Sequence, residues 1–212
     1  VRKRIEIAAR ECGRDPAGVT LVIASKTQPL EAIEELIKLG HRQFGENRVQ
    51  EAQQKWPRLK DKYPDVILHL IGPLQTNKVR DACELFDVIE TVDREKLARA
   101  LADEEDRTGR YLEHFIEVNI AGEKQKAGIL PSELSSLIHF CEHQVRLTIT
   151  GLMCIPPAER QSSPYFALLR TLAAANGMSF TSMGMSEDYP LAIGLGATSI
   201  RVGTAIFGAR DN

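Results

Sequence analysis

The residue best placed for covalent chemistry is a lysine at the end of an apolar run. Leu21-Val22-Ile23-Ala24-Ser25-Lys26-Thr27 has the length of a strand and breaks off at Lys26. Burial lowers a lysine pKa, and a neutral amine attacks a carbonyl to give a Schiff base. A lysine after a strand is otherwise a solvated loop residue, but small Ala24 and Ser25 behind a fully apolar run leave room for a partly dry amine. Near the other end of the chain, Ser186, Gly203 and Thr204 suit an anion. Ser186 heads a predicted short helix, where its hydroxyl and the first N–H groups face one ligand. Gly203 admits close backbone approach, and Thr204 adds an N–H and a hydroxyl. Glu187 and Asp188 in the same turn would repel a phosphate unless they point away, and Ser186 reads equally well as a plain N-cap. Arg201 shares a strand face with Ser199, opposite Ile200 and Val202, so its guanidinium turns inward, to a ligand or to an interior carboxylate.

The elements that must position these groups follow one rhythm. Residues 1–12 read as a helix with Ile5, Ala8 and Ala9 on one face, ended by Gly13. Strands are predicted at Val19–Ala24, His41–Gly45, Val66–Ile71, Phe86–Thr91, Phe115–Ile120, Leu147–Cys154, Ser179–Met183 and Ser199–Val202. Helical patterns separate them: Pro29 to Gly40, Asn47–Trp56, Gln75–Leu85, Arg94–Glu105, Pro131–Glu142, Pro164–Asn176 and Ser186 to about Ile193. Eight strands alternating with helices argue for right-handed parallel β-α units. Eight such units close into a (β/α)8 barrel, here with an extra N-terminal helix and occupying residues 1–212 as a single domain. An open doubly wound sheet is the alternative. It usually carries a glycine-rich first turn, and Ser25-Lys26-Thr27 has no glycine.

In a (β/α)8 barrel the chemistry sits at the C-terminal strand ends. Those ends gather Lys26, Asn47, Gly72, Asn119, Met153, Met183 to Ser186, and Arg201 to Thr204. The loops after strands seven and eight are where phosphate sites recur in this architecture. An amine, a phosphate cradle and an inward Arg together fit a phosphorylated aldehyde with a ring nitrogen. Pyridoxal phosphate (PLP) meets that description.

Composition excludes several classes. With 43% apolar and 26% charged residues the chain is neither disordered nor collagen-like. A net charge of 27 − 29 = −2 offers no global field for nucleic acid or an anionic membrane. No apolar run approaches the roughly 20 residues of a membrane span. Cys12, Cys83, Cys141 and Cys154 are scattered without a Cys-x-x-Cys pair, which suits reduced, buried thiols in a cytoplasmic protein. His139 and His143 share a helix face without an evident third ligand, so no metal site is expected. Lys55, Arg58, Lys60 and Lys62, interleaved with Trp56 and Tyr63, read as a solvated face. Trp56 is expected to cap helix packing around Pro57.

Several ordered motifs together carry a family resemblance. They are Val22–Thr27, Phe44-Gly45-Glu46-Asn47-Arg48-Val49-Gln50-Glu51, His69–Lys78, Gly151-Leu152-Met153, Ser182-Met183-Gly184-Met185-Ser186 and Arg201–Gly208. From about Ile5 to Arg210 the chain resembles the pyridoxal phosphate homeostasis proteins, single-barrel relatives of the alanine racemase N-terminal domain (PLP fold type III). The resemblance implies PLP held on Lys26, with its phosphate on Ser186, Gly203 and Thr204 and its pyridine nitrogen facing Arg201. It places Asn47 and Met183 among the cofactor-binding residues, and Lys126 matches a family lysine of unassigned role. The segment 153–164 departs from the family pattern. An Arg partner donates and does not give up its proton, so the ring nitrogen stays unprotonated and the cofactor is a weak electron sink. Related racemases add a β-rich domain that brings a catalytic base; this chain is expected to end just after the barrel and to lack one. The expectation is a carrier or buffer of PLP without catalytic residues, acting in vitamin B6 homeostasis. Apo-PLP enzymes would receive the cofactor, and the protein would be a monomer or weak homodimer. The alternative is a PLP-dependent racemase or lyase acting on small amino acids.

Overall fold

In the computed structural model of the chain, residues 1–208 are described. Ala209 and Arg210, at the end of the stretch carrying the resemblance, lie outside the described residues. The short apolar runs form eight strands: β1 (Thr20–Ala24), β2 (Gln43–Glu46), β3 (Ile67–Leu70), β4 (Val88–Val92), β5 (Glu113–Glu117), β6 (Gly151–Met153), β7 (Phe180–Ser182) and β8 (Ser199–Val202). All neighbours are parallel, and β8 returns to β1, with Val22 beside Arg201 and Ile23 beside Val202. The barrel closes, so no sheet edge is left open.

Helices form the outer layer: α1 (Arg2–Glu11), α2 (Leu30–Lys38), α3 (Val49–Lys62), α4 (Val79–Leu85), α5 (Glu95–Thr108), α6 (Leu134–His139), α7 (Ser163–Ala175), α8 (Tyr189–Gly194) and the four-residue α9 (Thr204–Phe207). Helices α1 to α8 each bury residues on one side, and α9 buries none. On α2, Ile33 and Ile37 face the barrel, Pro29 precedes the first turn, and Gly40 leaves the helix at φ +90°. The helix α1 contacts α8, closing the layer beside β8 and β1.

Several predicted boundaries moved, each for a local reason. The helix expected to end at Trp56 continues through Pro57 to Lys62, because Leu59 extends the buried stripe of Val49, Ala52 and Trp56. The sixth strand shrinks to Gly151–Met153. The sixth helix ends as a π-helical stretch, Phe140–Val145, which closes on Arg146 at φ +57°. The helix expected from Ser186 starts at Tyr189, so Ser186 lies in a preceding turn.

Other expectations are corrected by burial. Trp56 caps nothing: it is fully buried against Phe44, ring centroids 5.2 Å apart. Lys55 and Lys60 are only partly solvated: Lys55 pairs with Glu46 at 2.9 Å and Lys60 with Asp87 at 2.6 Å. Cys12 is exposed, unlike the other three cysteines. His139 and His143 stack on the surface, and among the described residues no cluster of three metal-ligating side chains forms. Among the described residues no helix is long and apolar enough to cross a membrane.

Candidate cofactor-binding site

At the C-terminal mouth of the barrel lies a cavity of about 510 Å³. That volume suits a small cofactor. Six of the seven sequence-predicted cofactor-binding residues face it: Lys26, Asn47, Ser186, Arg201, Gly203 and Thr204. Met183 does not; it is fully buried among apolar side chains, and its N–H donates to the Ser199 carbonyl at 3.0 Å.

The β1 strand delivers Lys26 to the rim. Strand hydrogen bonding continues one residue past Ala24, where the Ser25 N–H donates to the Gly45 carbonyl at 2.9 Å, and the chain then turns at Lys26 and Thr27. Lys26 is half-buried, which combines access with partial desolvation. Asn47 follows β2 and is fixed from behind by Gly72. A Cβ on Gly72 would stand 2.3 Å from the Asn47 carbonyl oxygen, so only glycine fits there.

The turn expected from sequence to hold an anion is built from the segments after β7 and β8 together. The Ser186 hydroxyl oxygen accepts from the Gly203 N–H at 3.3 Å and the Ala205 N–H at 3.2 Å. Two backbone donors thus converge on one oxygen. Both acidic neighbours lie on the cavity wall. Asp188 accepts from the Met185 N–H at 2.7 Å and the Ser162 hydroxyl at 2.6 Å, and Glu187 is exposed. Gly203 has an unexpected reason to be glycine: at φ −122° its backbone is ordinary, but a Cβ would press the Ala24 oxygen at 3.2 Å. It permits the close approach of β8 to the end of β1, bringing the turn near Lys26.

Arg201 has the interior carboxylate that one of its two sequence readings named. It lines the cavity and is held from behind by an interior carboxylate, Glu90 on β4, at 3.5 Å. Its terminal nitrogens also donate to the Ser182 hydroxyl and, at 2.8 Å, to the Cys154 carbonyl. Glu90 accepts in turn from Ser182 at 2.6 Å and pairs with His69 Nδ1 at 2.8 Å, while His69 Nε2 meets Gln43 at 2.7 Å. These residues come from β2, β3, β4, β7 and β8, so the network crosses the barrel interior, which is usually packed with branched aliphatics. Burial opposes the Glu90 charge, but His69, Arg201 and Ser182 outweigh it and hold its carboxyl below the usual range. Glu117 on β5 feels the opposite balance. Burial and Asp93 push its carboxyl up to about 7, although Arg201 pulls the other way.

One part of the site escaped sequence reasoning. The segment 153–164 supplies one wall through Ile155, Pro156, Pro157, Ala158 and Arg160. Its proline pair was the one available signal of a fixed loop. Lys126 reaches that wall, donating to the Pro156 carbonyl at 3.2 Å while paired with Glu123 at 2.6 Å.

With this geometry in place, the likenesses to known proteins are decisive. Residues 3–211 match the family model of the alanine racemase N-terminal domain. The pyridoxal phosphate homeostasis protein of Escherichia coli is 41% identical over 220 aligned positions, covering 100% of this chain and 94% of that one. The chain belongs to the pyridoxal phosphate homeostasis protein family. Within the solved structures, PipY of Synechococcus elongatus with PLP bound is 38% identical and superimposes with a TM-score of 0.84, over 97% of this chain and 100% of that one. An alanine racemase from Clostridium difficile shares the barrel at 12% identity and a TM-score of 0.72; it matches all of this chain but 57% of its own length. For this family member the barrel corresponds to nearly the whole of its homeostasis relatives and little more than half of a racemase.

Proposed function

We propose that this protein binds pyridoxal 5′-phosphate at the barrel mouth, covalently through Lys26, and carries or buffers it in the cytoplasm without robust turnover. The observation that carries the reading is the convergence of Lys26, Arg201 and the Ser186–Gly203–Ala205 turn on one cavity, in a chain whose relative from S. elongatus was solved with PLP bound. When bound, the cofactor supplies an aldehyde that condenses with a primary amine with loss of water. Lys26 offers the amine, the Gly203 and Ala205 N–H groups hold the phosphate beside Ser186 and Thr204, and Arg201 stays a fixed cation facing the ring. Asn47 and the 153–164 wall flank the ring and limit access of water.

Turnover needs a second acid–base group. Of the two carboxylates on the cavity wall, Asp188 has both oxygens committed and Glu187 is exposed. This supports storage and delivery to apo-PLP enzymes over catalysis. The test is incubation with PLP and gel filtration: wild type retains about one PLP per chain with a visible absorption band, and Lys26→Ala retains none. Retention of the band by Lys26→Ala removes the attachment site. Turnover of D- or L-amino acids well above that of free PLP, abolished in Lys26→Ala, would make the protein an enzyme.

A further inference from the structure

The two residues flanking Lys26 are both gripped by one charged cluster on β2 and α3. The Ser25 hydroxyl donates to Glu46 Oε1 at 2.8 Å, and the Ser25 carbonyl accepts from Lys55 Nζ at 3.2 Å. On the other side the Thr27 N–H donates to Glu51 Oε1 at 2.5 Å. Lys55 joins the two acids, 2.9 Å from Glu46 and 3.0 Å from Glu51. Trp56 Nε1 also donates to Glu46 Oε1 at 3.0 Å. Glu51 and Lys55 stand four apart on α3 and so share the helix face turned toward this loop.

Thr27 shows why such a grip is needed. Its φ is +64°, the left-handed region, where a β-branched residue is a genuine outlier. Strained backbone persists where surrounding structure over-determines it, and it collects at functional sites. Here the over-determining contact is the Glu51 carboxylate on the Thr27 N–H. Part burial disfavours the Glu51 charge, but the Thr27 N–H and Lys55 more than compensate and hold it below the usual carboxylate range. The Lys55 ammonium donates to Glu51 and the Ser25 carbonyl and is ion-paired with Glu46. It is therefore a strut and no rival to Lys26 as attachment point.

We propose that Glu46, Glu51 and Lys55 form a clamp whose role is to position Lys26, by holding Thr27 in its strained conformation and so aiming the amine into the cavity. Glu51 and Lys55 are positioning residues, and the clamp sets how firmly PLP is retained. The proposal rests on Lys26 being the PLP attachment point. A purely structural ion pair would tie α3 to the barrel without depending on Thr27, and that is the difference to test.

The experiment compares full-length wild type, Glu51→Ala, Glu51→Gln, Lys55→Met and the double variant Glu51→Ala with Thr27→Gly. Two quantities are read: hydrogen exchange of the Thr27 amide without ligand, and the rate at which the visible PLP band decays after dilution. Losing a hydrogen bond to a charged group predicts, for Glu51→Ala, decay faster by on the order of tenfold and loss of Thr27 amide protection. Glu51→Gln keeps an acceptor for the Thr27 N–H and gives an intermediate rate. Glycine adopts φ +64° without strain, so adding Thr27→Gly brings decay back toward wild type. Lys55→Met, which removes the strut, speeds decay as Glu51→Ala does. The clamp is refuted if Glu51→Ala and Lys55→Met lower thermal stability while PLP decays at the wild-type rate, or if Thr27→Gly compounds the loss. Should wild type retain no PLP at all, the carrier reading fails, and Thr27 amide exchange alone then decides whether Glu51 holds the turn.

Discussion

Replacing Glu90 with Gln tests the interior network with the least change of shape. The amide keeps the volume and hydrogen-bonding capacity of the carboxylate but removes its charge. In the wild type that charge faces the Arg201 guanidinium at 3.5 Å and His69 Nδ1 at 2.8 Å, and Glu90 is fully buried. At an effective dielectric near 20, two unit charges 3.5 Å apart attract by about 5 kcal/mol. The variant avoids the desolvation of the carboxylate but leaves Arg201 buried without its counter-charge, a situation that usually costs about 3–5 kcal/mol. We expect Glu90→Gln to lose about that much in urea unfolding of the ligand-free protein at pH 7. The pH dependence has a definite sign. Because the folded carboxyl lies below its unfolded value, the stabilisation is fully present above about pH 4.3 and is lost as pH falls through the lower folded pKa. The gap between wild type and variant therefore holds from pH 7 to about 5 and narrows only under stronger acid. A loss below about 1 kcal/mol at pH 7, or a gap that widens on acidification, would refute the argument that Glu90 is the counter-charge of Arg201.

Two further outcomes follow from the same geometry. Gly72→Ala sets a methyl group 2.3 Å from the Asn47 carbonyl, so we expect about 3 kcal/mol of destabilisation in urea together with weaker PLP retention, because Asn47 sits on the cavity wall. Glu117→Gln should stabilise the protein, by as much as about 3 kcal/mol at pH 8 and by nothing near pH 4. With its folded pKa raised to about 7, the folded state keeps this proton after the unfolded state has lost it, so wild-type stability falls as pH rises through that window. Equal effects at both pH values would show that Glu117 is not desolvated as its burial implies.

The barrel was legible because most strands lie in or beside short apolar stretches bounded by turn residues, and the longer helices carry a stripe at helical spacing. Both signals are local. The ends of β1 and β8 marked Lys26 and Arg201 for the same reason: a charged residue that interrupts or alternates with an apolar strand stands out. What could not be read was any contact between distant strands. Nothing in the sequence near Glu90 announces Ser182, which is 92 positions away and bonds to it across the barrel. Lys55 was hidden by its company, since Arg58 and Lys62 nearby are exposed and only the fold turns Lys55 inward. Ser186 illustrates a different failure. Serine before a short helix reads as an N-cap, but the helix begins after Asp188, and the Ser186 hydroxyl instead accepts from the turn after β8. The 153–164 wall has no period to read, because proline and loop residues set its course by individual contacts.

The most direct test is to reduce the PLP-loaded protein with borohydride and map the modified residue by peptide mass. The account predicts a single phosphopyridoxyl adduct on Lys26, absent when inorganic phosphate at high concentration competes during loading. An adduct on Lys55 or Lys126, or spread over surface lysines, would contradict it.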